Sequence, residues 1–181
     1  MTHVAVLPGA EWIPADLAAD PDAWARATVQ NRLRTAHRTV DPIRLERLTA
    51  GLAAVIRHHR AEPRLPTLVL LLCPEPDEPA VTSVAVREWV PTGVCTARDL
   101  THAARLTQAR HDECVVPTAA GEAIRLRQRF PPWESLLYAW LLDDGAGPLA
   151  VTLSTVFAER SHATRWRGAV DALARSAHRA L

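Results

Sequence analysis

Lysine is absent from this chain: all 21 basic residues among its 181 are arginine. Arginine offers a planar fork suited to carboxylates and phosphates, whereas lysine is a hydrated point charge. Net charge is also lacking. With 20 acidic residues the formal balance is +1, which argues against a dedicated nucleic-acid binder, whose affinity rests largely on neutralising phosphates. Cysteines number three, Cys73, Cys95 and Cys114, and no paired spacing among them suggests a disulfide framework. Reduced thiols and a cytoplasmic location are the expectation. No apolar run is long enough to span a bilayer: the longest, Leu68 to Cys73, falls far short of the roughly 20 residues required. The stretch Met1–Gly9 has neither the basic region nor the apolar run of a secretory signal, so no membrane partner is expected. Internal repeats and Gly/Ser linkers are missing too. One domain over residues 1–181 follows, and a domain of this size buries roughly 70% of its unfolded surface.

The chain supplies clear local signals in place of these. Asp20-Pro21 and Asp41-Pro42 each pair a capping aspartate with a proline suited to the first helical position. They predict helices from Pro21 to about Arg34 and from Pro42 onward. In the second, Leu45, Leu48, Leu52, Val55 and Ile56 form one stripe with Arg44, Arg47 and Arg57 largely off it. Pro63 and Pro66 end it. Thr67 to Cys73 then reads as a strand buried on both faces, and the acidic, proline-rich turn from Pro74 to Pro79 leads to a partner strand over Val81–Val90. Thr96 and Asp99 predict a capping box and a helix to about Gln108. From Ala120 alternation is sharp: Ile124, Leu126 and Phe130 share one face, Arg125, Arg127 and Arg129 the other.

Pro131-Pro132 breaks that strand. Glu134–Leu142 and Leu149–Phe157 predict a hairpin around the turn-rich segment Asp143 to Pro148. Ser161 is the expected cap of a last helix whose stripe is Trp166, Val170, Leu173 and Ala177. Helix-rich and strand-rich stretches segregate along the chain, which indicates an α+β fold with an antiparallel sheet.

Gly121 to Leu126, Leu137-Tyr138-Ala139-Trp140, Leu149 to Thr155 and the closing helix resemble the PsbP-like α/β/α sandwich group. Within it they look most like the LpqN-type bacterial branch. The resemblance covers about the last third of the chain and implies a non-catalytic accessory, assembly or binding protein. It implies no functional residue, and the chain departs from that branch in showing no signal peptide and no lipidated cysteine.

No G-x-S-x-G, Walker-A or G-x-G-x-x-G pattern is present, and no catalytic residue, cofactor or metal ligand is assigned. His111-Asp112-Glu113-Cys114 lacks metal-ligand spacing and reads as a polar loop. His58 and His59, beside Arg57 and Arg60, complement the carbonyl end of their helix. Cys95, ahead of the Thr96 cap, is the best placed thiol for reactivity. Of the six tryptophans, Trp24 and Trp166 are expected in the core, while Trp89 and Trp133 are expected to be partly exposed. Tryptophan and arginine dominate protein interfaces. Arg87, Trp89, Arg125, Arg127, Arg129 and Trp133 are therefore the candidate partner-binding residues, for a protein with an acidic surface or for self-association. A solvated arginine row guarding a strand is the competing reading. An enzyme or small-ligand binder, with a pocket using Cys95, His111 or Glu113, is the alternative.

Overall fold

The computed structural model describes residues 3–93, 95–143 and 147–180. Two compact units divide the chain, one made of Met1–Gly9 and Val84–Leu181, the other of Ala10–Ser83. The architecture is α+β, with four helices and antiparallel strand pairs among the described residues.

In the smaller unit, β2 (Trp12–Pro14) pairs antiparallel with β3 (Leu68–Leu72), and α1 (Pro21–Thr35) and α2 (Pro42–Arg60) complete it. Both helices begin as their sequence dictates. Asp20 accepts a bond from the Ala23 amide and Asp41 from the Arg44 amide, each with proline following the cap. The core gathers Val29 and Leu33 of α1, Leu48, Leu52 and Ala53 of α2, and Leu71 with Cys73. β3 is buried on both faces, with Val69 to Leu72 at 1% exposure or less. After the acidic turn, the Val81 amide returns to the Leu72 carbonyl at 2.8 Å. Trp24 is half-buried at the rim of this core rather than within it. β2 lies in a segment that reads as loop; three residues are too few to show a period of two.

The larger unit holds β4 (Thr82–Trp89, which begins in the other unit), α3 (Ala97–Ala103), β5 (Arg110–Thr118), β6 (Gly121–Phe130), β7 (Trp133–Asp143), β8 (Pro148–Phe157) and α4 (Arg160–Arg175). Its strands lie in the order β4-β8-β7-β6-β5. A separate ribbon pairs β1 (His3–Ala5) with β9 (His178–Ala180). Strand parity sorts the side chains. Cys114, Arg125, Tyr138, Leu153 and Val86 form one row across the sheet, facing α4; Glu113, Leu126, Leu137 and Ser154 form the next, on the opposite face with α3. Tyr138, Trp140, Leu136, Leu153 and Phe157, on the face toward α4, are 1% exposed or less, and Ala163, Val170, Leu173 and Ala174 of α4 are buried as well.

Several boundaries differ from the sequence reading, each for a local reason. The capping box at Thr96 and Asp99 is present, but α3 ends at Ala103 and not near Gln108, because little apolar surface follows to hold another turn. The polar stretch His111 to Cys114 belongs to β5, an outer strand on which Arg110, His111 and Asp112 are exposed, so no apolar alternation marks it. Glu159, not Ser161, occupies the cap position of α4; the Ser161 hydroxyl donates to the Glu159 carboxylate at 3.2 Å. Trp166 is half-buried with the Arg165 guanidinium 4.9 Å over its ring. The turn expected between β7 and β8 lies partly outside the described residues.

Candidate functional site

The three arginines on β6 occupy one face, as their alternation demands, but that face is the one α4 covers. Arg127 forms a two-pronged pair with Glu134, Nε to Oε1 at 2.9 Å and Nη2 to Oε2 at 2.7 Å, and Arg167 of α4 reaches the same carboxylate at 3.4 Å. Glu134 is 4% exposed. Arg125 points at Asp171 of α4, at 3.4 Å, and its Nε is buried without a hydrogen bond. Tyr138 donates its hydroxyl to the same Asp171 oxygen. Burial, then the bond to Asp171 and its charge, push the Tyr138 phenol far above its ordinary range. Burial opposes the Arg125 charge, but Cys114, Asp171 and Tyr138 around it more than offset that, and its guanidinium is held above its usual value.

Arg125 and Arg127 are thus half-buried and ion-paired within the chain, and the solvent-directed arginine row expected from the sequence is a correction to make. Arg129 differs. It is exposed, and it sits directly across from Arg110 of β5. These two, with Arg160 at the first turn of α4, line a hollow of about 420 Å³ together with Gln108, Pro131, Pro132, Trp133 and Glu134. None of the three arginines is ion-paired among the described residues. The one carboxylate in the lining, Glu134, is already held by Arg127 and Arg167; Asp112 stands in the next row, opposite Arg127. Like charges facing each other across a strand pair, as Arg110 and Arg129 do, are unfavourable by a few tenths of a kcal/mol or more, while on its other side Arg129 stands opposite Glu134 of β7. Trp133 is 53% exposed at the border, its ring centroid 6.4 Å from that of Phe130. The helix end adds to the field: Glu159 makes no side-chain cap bond, which leaves the positive end of α4 near Arg160.

The remaining expected residues lie elsewhere. Arg87 donates to Ser154 Oγ at 3.0 Å and shares with Trp89 the face opposite Arg129, in rows at least five positions along β6 from it. The six residues therefore form no single surface: Arg129 and Trp133 meet at the hollow, Arg125 and Arg127 are internal, Arg87 and Trp89 are apart. Sequence reasoning missed Arg110 and Arg160. The first hid in a strand without alternation, the second in a helix start without a recognisable cap.

The groups proposed for an alternative pocket do not converge on free chemistry. Glu113 is occupied on both oxygens, Oε1 by Arg98 at 3.2 Å and Oε2 by Arg105 at 2.6 Å and Thr101 at 3.2 Å. The Arg105 bond, reinforced by Thr101 and the arginine charges, holds its carboxyl below the usual range despite some burial. His111 is exposed on the outer strand, and the Cys95 thiol is directed to the Thr96 carbonyl at 3.4 Å. In the smaller unit a hollow of about 560 Å³ is lined by Asp41, Ile43, Arg44, Arg47, Leu48 and Pro79. There Asp41 is used as a cap and Arg44 reaches Asp77, which leaves Arg47 as the one charged side chain of the lining without an ion pair or hydrogen bond among the described residues. No helix among the described residues is long and apolar enough to cross a membrane.

No protein-family model and no curated protein matches this chain. Among solved structures it is similar to LpqN, described as involved in cell envelope biogenesis of Mycobacterium tuberculosis, at a TM-score of 0.59 and 7% identity, over 100% of this chain and 85% of that one. The chain shares the α/β sandwich fold of LpqN. At that identity the likeness carries the fold and no residue of the site.

Proposed function

We propose that this chain is a non-catalytic binding module that takes an acidic segment of a partner protein into the hollow formed by Arg110, Arg129, Arg160 and Trp133. The observation that carries the reading is a contrast within one sheet. Arg125, Arg127 and Arg167 are ion-paired with Asp171 and Glu134, whereas the three arginines of the hollow face solvent unpaired beside an exposed tryptophan. Arginine forks bind carboxylates in two-pronged fashion, and a tryptophan at the rim supplies apolar contact area. The fold shared with a protein of cell envelope biogenesis is compatible with an accessory role. The test is a binding isotherm of the full chain with a fluorescent glutamate-rich peptide. Each exposed ion pair is worth up to about 1 kcal/mol, and reversal adds repulsion. The double variant R129E/R160E should therefore weaken binding about tenfold or more, while R26E on α1 leaves it unchanged. Equal loss in both variants, or no binding by the native chain, overturns the proposal.

A further inference from the structure

In the smaller unit, three side chains converge at the end of α2. On a helix, residues three and four apart are neighbours, so Glu62 just beyond α2 stands over the gap between His59 and His58. The structure realises this: His59 Nδ1 lies 2.8 Å and His58 Nε2 3.7 Å from the same oxygen, Glu62 Oε1. All three ligand atoms fall within 4.8 Å of one another.

The environment favours a cation there. Four successive basic residues, Arg57 to Arg60, end α2, but both arginines are anchored away from the cluster. Arg57 pairs with Asp22, and Arg60 bonds the carbonyls of Leu17 and Ala19. The carbonyl end of a 19-residue helix contributes partial negative charge. The His59 ring is 6% exposed, and Ser83 Oγ lies 3.0 Å from its Nε2. A ring nitrogen donating to an outer partner is how metal-bound histidines are oriented. In the tautomer with Nε2–H on Ser83, the Nδ1 lone pair faces the Glu62 oxygen and the two together can hold a cation; in the other, Nδ1–H donates to Glu62 and the Ser83 hydroxyl donates to Nε2, the arrangement of the metal-free site.

We propose that His58, His59 and Glu62 bind a divalent transition-metal ion of the zinc class. Two imidazoles and one carboxylate are a donor set suited to such an ion. Bond lengths of roughly 2.0–2.2 Å place tetrahedral donors about 3.3 Å apart, between the two separations seen. The adjustment falls on His58, whose ring is 74% exposed and free to swing. Three protein ligands leave a fourth position open for water or for a carboxylate from a partner.

The test uses the full, tag-free chain stripped with chelator. Calorimetric titration with zinc chloride should show one ion per chain, and cobalt(II) should give the visible bands of a tetrahedral site. His58→Ala, at an exposed position, should keep the native circular dichroism and lose zinc affinity tenfold or more, as should Glu62→Gln. Ser83→Ala, which removes only the outer partner, should weaken binding about tenfold. A His111→Ala/Cys114→Ser control should bind zinc normally. The proposal is overturned if the native chain takes up no zinc, if His58→Ala binds as the native chain does, or if the control removes the binding.

Discussion

Replacing Glu134 with alanine separates the structural arginines from the free ones. Its carboxylate is 5% exposed and receives three contacts, two from Arg127 and one from Arg167. Removing one partner of a buried pair costs about 3–5 kcal/mol when the other charge stays buried. Here Arg127 is 20% and Arg167 33% exposed, so both can recover some hydration, and about 2–3 kcal/mol is the reasoned loss. For a chain of this size 1 kcal/mol moves the melting temperature by about 2–4 °C, which gives a fall of about 5–10 °C. Arg127→Glu would set a second carboxylate against Glu134 and should fall further. Arg110→Glu has the opposite sense: on the outer strand it gives Arg129, its cross-strand partner, an oppositely charged neighbour, worth a few tenths of a kcal/mol in favour of the fold. Differential scanning calorimetry of the three variants settles the matter. If E134A melts within 1 °C (roughly the effect of an ordinary surface change) of the native chain, or R110E melts as low as R127E, the division between paired and free arginines is wrong.

Thiol chemistry should follow burial. Cys73 is 1% exposed, and burial, opposed in part by the charge of Arg32, pushes its thiol up to about 11. At pH 8 an aromatic disulfide reagent should label Cys95 and Cys114 in the native protein and reach Cys73 only in denaturant; rapid labelling of all three would refute the buried placement. Acid should probe Glu113. Its carboxyl is held below the usual range by Arg105, so its stabilisation is present above the unfolded carboxylate range and is lost as pH falls through the lowered value. E113Q should thus be less stable than the native chain at pH 7 and converge with it in urea melts toward pH 3. A gap that stays constant with pH would contradict the pairing.

Much of this fold was legible along the chain, because its signals are local. Asp20-Pro21, Asp41-Pro42 and the Thr96–Asp99 box each act within four residues and each starts a helix as expected. The alternation of β6 and the stripe Val170, Leu173 and Ala177 located the sheet and the closing helix. What stayed hidden depends on partners distant in sequence. The bonds that occupy Arg125 come from Asp171, 46 positions away, and Arg127 is satisfied across a hairpin by Glu134. Alternation shows which residues share a face and not what covers that face. β5 escaped because an outer strand can carry charge on both faces, and with it went Arg110. The hollow is a product of three elements meeting, so only Arg129 and Trp133 could be singled out in advance.

The central claim is that an acidic segment seats beside Trp133. It is tested most directly by fluorine NMR of the chain with its tryptophans replaced by 5-fluorotryptophan, each signal assigned by single Trp→Phe variants. On titration with the glutamate-rich peptide, the Trp133 resonance should shift first and furthest, with Trp24 and Trp89 unmoved, and the shift should vanish in R129E/R160E. A shift at Trp24 or Trp89 with Trp133 unchanged would contradict the account.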